Sequence, residues 1–218
     1  MVAKAQQTSE RFDRPTRKGA QTRQRILDAA AVLLGDRGPD GLAMADIAEC
    51  AGMSKASAYY YFTDCEQIVY EVVVGELDKM LTAFERAAAT AMTAREALAC
   101  IAHSFVVMLS QDRPLVRFVL GQLQAPPAVG HGDERERLSE RLYHLVSTQL
   151  ERGKAEGSVR ADVDVHFGAS AILGTFLSSA ALSSRLPGGD GEDERLERSL
   201  LSFISHGVGG VLAESTIM

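Results

Sequence analysis

The chain has 218 residues, 46% of them hydrophobic and 24% charged, and its net charge is −6. That length suits a small head and one larger body, the composition is that of an ordinary soluble globular protein, and the acidic balance excludes a uniformly basic nucleic-acid binder. Cys50, Cys65 and Cys100 make no CxxC pair and show no metal spacing with the five histidines, which fits a reducing cytosol and predicts no metal site.

Divided along the chain, the charge is uneven. Residues 1–25 hold seven basic residues against two acidic ones, whereas from residue 63 onward there are 14 basic and 22 acidic. Lys4, Arg11, Arg14, Arg17 and Lys18 sit in a stretch, residues 1–19, that is polar and nearly without aliphatics. It reads as a disordered basic arm suited to phosphate contact. It is too polar for a signal peptide.

The first helix is expected over about 20–36, with Ile26, Leu27, Ala30, Leu33 and Leu34 as its inner stripe, and Gly38-Pro39 stops it. The stretch Gly41 to Phe62, GLAMADIAECAGMSKASAYYYF, follows. Ile47, Ala48 and Ala51 give one buried helical face, Gly52 permits a sharp left-handed turn, and Ser54 is placed to cap a second short helix. Two short helices around a glycine turn form a helix-turn-helix, whose second helix enters the DNA major groove.

Asp64 caps a fourth helix that runs through Ile68, Val72, Leu77, Leu81 and Phe84 to about Ala91. Thr93 and Glu96 form a capping box for a fifth, about 94–111. Pro114 suits the first turn of a sixth, reaching about Gln124. After a Pro/Gly loop, a seventh runs from about Asp133 to Glu156 and ends at Gly157. An eighth starts at Asp162 or Asp164 and reaches about Arg185; its uncharged stretch 167–184 approaches the length of a membrane span but reads as a buried helix. A ninth covers about 193–213. About nine helices and no convincing strand make the fold all-α.

The pieces RILDAAAVLLGDRG (25–38), GLAMADIAECAG (41–52) and SKASAYYYF (54–62) closely resemble the TetR family of bacterial transcription regulators. The resemblance covers roughly the first third of the chain. It implies residues 20–63 as a DNA-binding head, and 64–218 as a ligand-binding and dimerisation body. By residue chemistry, Lys55, Ala56 and Ser57 reach base edges first, while Tyr59 offers its phenol to a phosphate. The resemblance makes Tyr59 a backbone contact, brings Tyr61 to the groove and leaves Tyr60 partly buried. Tyr60, Ser54 and, from the arm, Arg14, Arg17 and Lys18 complete the expected DNA surface.

Three positions depart from the family pattern. Ala43 replaces the usual Thr cap, Ala58 the usual core Leu, and Cys65 the usual phosphate-binding Lys.

A head of this kind reads a two-fold operator as a dimer. The small residues Ala171, Gly174, Ser178 and Ala181 would let another helix approach. By resemblance the last two helices form the interface, adding Leu200, Phe203, Ile204 and Val208. Helices four to seven would enclose a small hydrophobic or aromatic ligand, with Phe84, His103, Phe105, Met108, Phe118, Gln122 and His144 as candidate lining. No HExxH, GxSxG, P-loop or GxGxxG motif is present, so no enzyme activity and no cofactor is expected.

The expectation is a cytoplasmic homodimeric repressor, bound to double-stranded operator DNA and released by a small ligand, with no membrane partner. Two alternatives stay open: a regulator governed by a protein partner or cysteine oxidation, and a ligand-binding protein or enzyme with a vestigial head.

Overall fold

The structure is a computed structural model, described here for residues 17–39, 42–123, 132–183 and 191–207. Among these residues there are nine helices and no strand: α1 (Arg17–Arg37), α2 (Met44–Cys50), α3 (Lys55–Tyr61), α4 (Cys65–Ala89), α5 (Ala94–Gln111), α6 (Arg113–Gln122), α7 (Gly132–Glu156), α8 (Val165–Ser183) and α9 (Glu192–Gly207). The all-α expectation holds.

Helix α1 begins at Arg17. Arg17, Lys18 and Gly19, expected in the arm, are therefore helical. Its exposed first turn has no hydrophobic requirement, so periodicity could not mark the start. Arg14 and the rest of the arm lie outside the described residues.

The caps explain most boundaries. Ser54 accepts from the Ser57 N–H, Asp64 from Gln67, Thr93 from Glu96, and Asp112 from Leu115, each satisfying a free first-turn donor. The return half of the expected capping box is displaced by one residue, since the Glu96 carboxylate accepts from the Met92 N–H at 2.8 Å. Asp164, rather than Asp162, caps α8 by accepting from Phe167. Ala43 leaves α2 with no side-chain cap, a loss of about 1 kcal/mol.

Helix α7 ends in a tight reversal. Ser158 and Val159 both donate to the Gly153 carbonyl, at 2.9 and 3.0 Å. A Cβ at Gly153 would lie 2.5 Å from Val159 Cγ2, so the turn folds against bare backbone.

The buried side chains form one continuous set, from Ile26 in α1 to Ile204 in α9. Helix α4, 25 residues long, spans about 37 Å at 1.5 Å per residue. It joins α1 of the head to α5, α6 and α7 of the body. Helix α8 is long and apolar enough to cross a membrane by length and composition, yet its Ala169, Ile172, Phe176 and Ala180 are buried in the bundle. Only 28% of its apolar window is buried, so the expectation of a buried helix holds for one face and fails for the other.

Candidate nucleic-acid interface and ligand cavity

The head is built around the turn at Gly52. Ala51 donates to Ile47, Gly52 to Glu49 and Met53 to Ala48, closing the end of α2. Gly52 has φ +66°, a conformation that costs an L side chain roughly 1–2 kcal/mol. The Arg25 guanidinium, reaching across from α1, donates to the Ala51 carbonyl.

Helix α3 turns inward only Ala58, with Phe62 at its end fully buried. Lys55, Ala56, Ser57, Tyr59 and Tyr60 are all exposed on the outer side, as a helix offered to a groove requires. Lys55 folds back over Tyr59, its Nζ 5.8 Å from the ring centroid. The Ser57 and Ser54 hydroxyls are 2.8 Å apart and share a hydrogen bond, so Ser57 reaches a base only by exchanging that partner.

The two C-terminal tyrosines differ from expectation. Tyr60 is 83% exposed, not partly buried. Tyr61 is the half-buried one, packed edge-on against Tyr60 with centroids 5.2 Å apart. Tyr60 points away from the side that holds Ala58, and only Tyr61 lies near enough to the core to pack on it. An open groove lined by Thr22, Arg25, Met53, Ala56, Ser57, Tyr60 and Tyr61 runs between α1 and α3.

Part of the basic cluster is spent internally. Arg23 pairs with Glu71 of α4, and its guanidinium lies 4.6 Å from the Phe62 ring centroid. With Arg25 on Ala51, these two arginines tie the head together. Arg17 and Lys18 remain exposed on the first turn of α1. Cys65 is half-buried. Burial pushes its thiol above the ordinary value, the nearby Asp64 carboxylate adds to that, and a hydrogen bond with the Met44 backbone opposes it.

In the body, a cavity of about 160 Å³ is lined by Met80, Phe84, Phe105, Leu120, Leu123, Ser139, Leu142, Leu173, Phe176 and Leu177. Phe105 and Phe176 stack across it, with centroids 4.8 Å apart. The Ser139 hydroxyl, the lining's polar side chain, donates to the Arg135 carbonyl at 2.8 Å. The cavity is therefore a hydrocarbon site.

Of the sequence candidates, Phe84 and Phe105 line this cavity. Met108 packs half-buried against the core elsewhere. Phe118 and Gln122 face a separate groove against the end of α1. His103 is exposed and sits 2.9 Å from Glu197 of α9, so it is a surface residue rather than one among apolar neighbours. His144 is exposed beside Tyr143. Sequence reading missed the α8 contribution because the ligand site was assigned to helices four to seven and α8 to the interface. The buried register Ala169, Ile172, Phe176 was the available signal.

The outward face of α8 carries the small-residue stripe. A Cβ at Gly174 would meet nothing within 4 Å, so at that position the stripe leaves room for another helix. Exposed Phe167 and Leu182 flank it. On α9, Phe203 is exposed, but Leu200 and Ile204 are buried within this chain's own core and are not available to a partner. Val208 lies outside the described residues.

A capped, outward-facing second helix behind a glycine turn, set on a helical body with an apolar cavity, defines a helix-turn-helix transcription regulator. Residues 26–72 match the family described as bacterial regulatory proteins, tetR family. The HTH-type transcriptional repressor KstR2 of Rhodococcus jostii (strain RHA1) is 25% identical over 186 residues, covering 85% of this chain and 90% of that protein. The solved KstR2 of Mycobacterium tuberculosis superposes with a TM-score of 0.71 at 22% identity, covering 86% of this chain and 94% of the other. FadR of Bacillus subtilis, solved in complex with stearoyl-CoA, gives 0.72 at 19% identity, covering 85% and 98%. The head of this chain is thus that of the TetR family of bacterial transcription regulators, and over most of its length the chain is similar to transcriptional repressors.

Proposed function

We propose that this protein is a cytosolic dimeric repressor whose α3 pair reads a palindromic operator, and which an amphiphilic ligand with a hydrocarbon part releases from DNA. The observation that carries the reading is the position of α6. Its inner side gives Leu120 and Leu123 to the apolar cavity, and its outer side gives Pro114, Arg117, Phe118, Gly121 and Gln122 to a groove against the end of α1. A chain filling the cavity displaces the helix on which the head rests. A ligand acts in this way only if its affinity differs between the two head positions.

Second copies meet through the outward face of α8, where Gly174 permits close approach. The ligand reading is favoured over cysteine control because the apolar cavity exists. A ligand with a polar head leaves that head outside the cavity, as among the described residues the lining offers Ser139 alone and its hydroxyl is engaged.

The test selects duplexes from a random pool with the wild-type protein, then titrates the complex with stearoyl-CoA, octanoyl-CoA and choline. Selection of a two-fold site and its release by an acyl-CoA, but not by choline, is the expected result. Failure to enrich any duplex at low salt would leave the vestigial-head alternative standing.

A further inference from the structure

Three elements meet at the first turn of α6. Asp112 caps that turn by accepting from Leu115 at 3.1 Å. The same carboxylate lies against α1 of the head: both its oxygens are 3.5 Å from where a Cβ on Gly35 would stand, and Leu115 Cβ is 3.8 Å away. The next residue, Arg113, faces the opposite way and reaches the first turn of α9. Its Nη1 is 3.4 Å from Glu192 Oε2, and its Nη2 pairs with Asp193 Oδ1.

This pair is more than a surface ornament. The Glu192 side chain is 15% exposed and that of Arg113 is 29% exposed. Glu192 Oε2 is buried and has no hydrogen-bond partner; Arg113 is the cation that meets its charge among the described residues. Buried carboxylates are held in place by such a partner, and removing it leaves an uncompensated charge.

The first turn of α6 touches α1 closely, and an open groove lined from Leu34 to Gln122 runs between the two helices. The far end borders the ligand cavity through Leu120 and Leu123. Both ends of the helix are held: Arg113 ties the first turn to α9, and Arg135 of α7 donates to the Gln122 carbonyl at 2.8 Å.

We propose that Arg113 is a positioning residue for DNA binding: it ties the first turn of α6, against which α1 of the head rests, to α9, and so sets the head angle that fits the operator. The inference rests on the repressor reading above. With the tie in place, α6 holds α1 of the head at a fixed position relative to α9. Without it, α6 slides and the head is no longer referenced to α9.

The experiment uses the full-length protein and the duplex that the wild-type chain selects from a random pool. R113Q is expected to weaken binding to that duplex about tenfold, within the roughly 5–150-fold range of couplings between sites. Dimerisation measured by light scattering is expected to stay unchanged. The acid-side variant E192Q/D193N is expected to show a similar loss, and adding R113Q to it no further loss, because the pair acts as one unit.

Losses that simply add would overturn the proposal. So would a folded, dimeric R113Q with wild-type affinity, or a loss explained entirely by dissociation into monomers. If R113Q does not fold, E192Q/D193N alone decides: full operator affinity in a folded dimer overturns the proposal, and a tenfold loss supports it. A wild-type chain that selects no duplex defeats the repressor reading itself, which is a separate outcome.

Discussion

The guanidinium of Arg25 in α1 donates to the carbonyl of Ala51, the last residue before the turn glycine of the helix-turn-helix. This side chain thereby braces the turn that the backbone hydrogen bonds of Ala51, Gly52 and Met53 close. A Cβ on Gly52 would lie 3.4 Å from the same guanidinium nitrogen, so the turn and its clamp fit together.

Gly52→Ala is therefore expected to cost about 1–2 kcal/mol, mostly from the left-handed backbone, read as a lower denaturation midpoint. Arg25→Gln should leave global stability closer to wild type and weaken DNA binding, because the clamp sets orientation. Equal operator affinity for Arg25→Gln and wild type would show that the turn hydrogen bonds suffice.

Gly174→Trp is expected to yield monomers with little loss of thermal stability. A Cβ there meets nothing within 4 Å in its own subunit, and the indole is expected to collide with a second copy. An intact dimer by light scattering would move the interface off the α8 stripe. Ile204→Ala is the contrast: Ile204 is 7% exposed, so its truncation should cost about 2–5 kcal/mol of fold stability.

The sequence made the head legible because turns and caps are local. Gly52, Ser54, Asp64, Thr93 and Gly157 each act within a few residues, and each performs its expected role in the structure. Side-chain destinations across helices were not legible. The basic count near the N-terminus could not show that Arg23 turns to Glu71 and Arg25 to Ala51. His103 and Phe118 sit at apolar-looking positions, yet which side of a helix meets a cavity depends on how neighbouring helices pack. The same holds for α8, whose two apolar faces have different destinations.

At the far end of the body, Glu156 accepts from the Ala94 N–H at 2.8 Å, which is the main reason its carboxyl is held below the ordinary value of 4.5; a hydrogen bond from Arg152 adds to this. A depressed carboxylate contributes stability above its unfolded pKa and loses it as pH falls through the folded value. Glu156→Gln should therefore melt at a lower temperature than wild type at neutral pH. The two melting curves should converge as the medium is acidified below 4.5. A constant gap at every pH would assign the effect to packing.

Leu142→Trp tests the cavity. The site holds about 160 Å³, so an indole fills much of it, with an overpacking cost of about 1–3 kcal/mol. The expected variant keeps operator binding and no longer responds to octanoyl-CoA in a competition assay. A retained response would place the ligand elsewhere.

DNA readout divides between the exposed residues of α3. Lys55 can donate to guanine O6 and N7, whereas a tyrosine hydroxyl on a phosphate carries no base information. Lys55→Ala is expected to relax specificity at particular operator positions by about 1–3 kcal/mol for a good contact, and Tyr59→Phe to weaken all sequences about equally. Tyr60, at 83% exposure, joins them: Tyr60→Ala should weaken binding more than Tyr61→Phe, whose ring is half-buried and braced on its neighbour. Cys65 occupies the place of the family's phosphate-binding lysine and is half-buried at the start of α4. A lysine there can lay its stem along the protein and extend its ammonium to the DNA backbone. Cys65→Lys is expected to tighten binding to every duplex and to steepen the slope of log K against log salt by about 0.9, one phosphate contact. The measurement is a salt titration of affinity over single-base operator variants. An unchanged slope would show that this position faces away from the backbone, and a base-dependent effect of Tyr59→Phe would reverse the roles assigned to Lys55 and Tyr59.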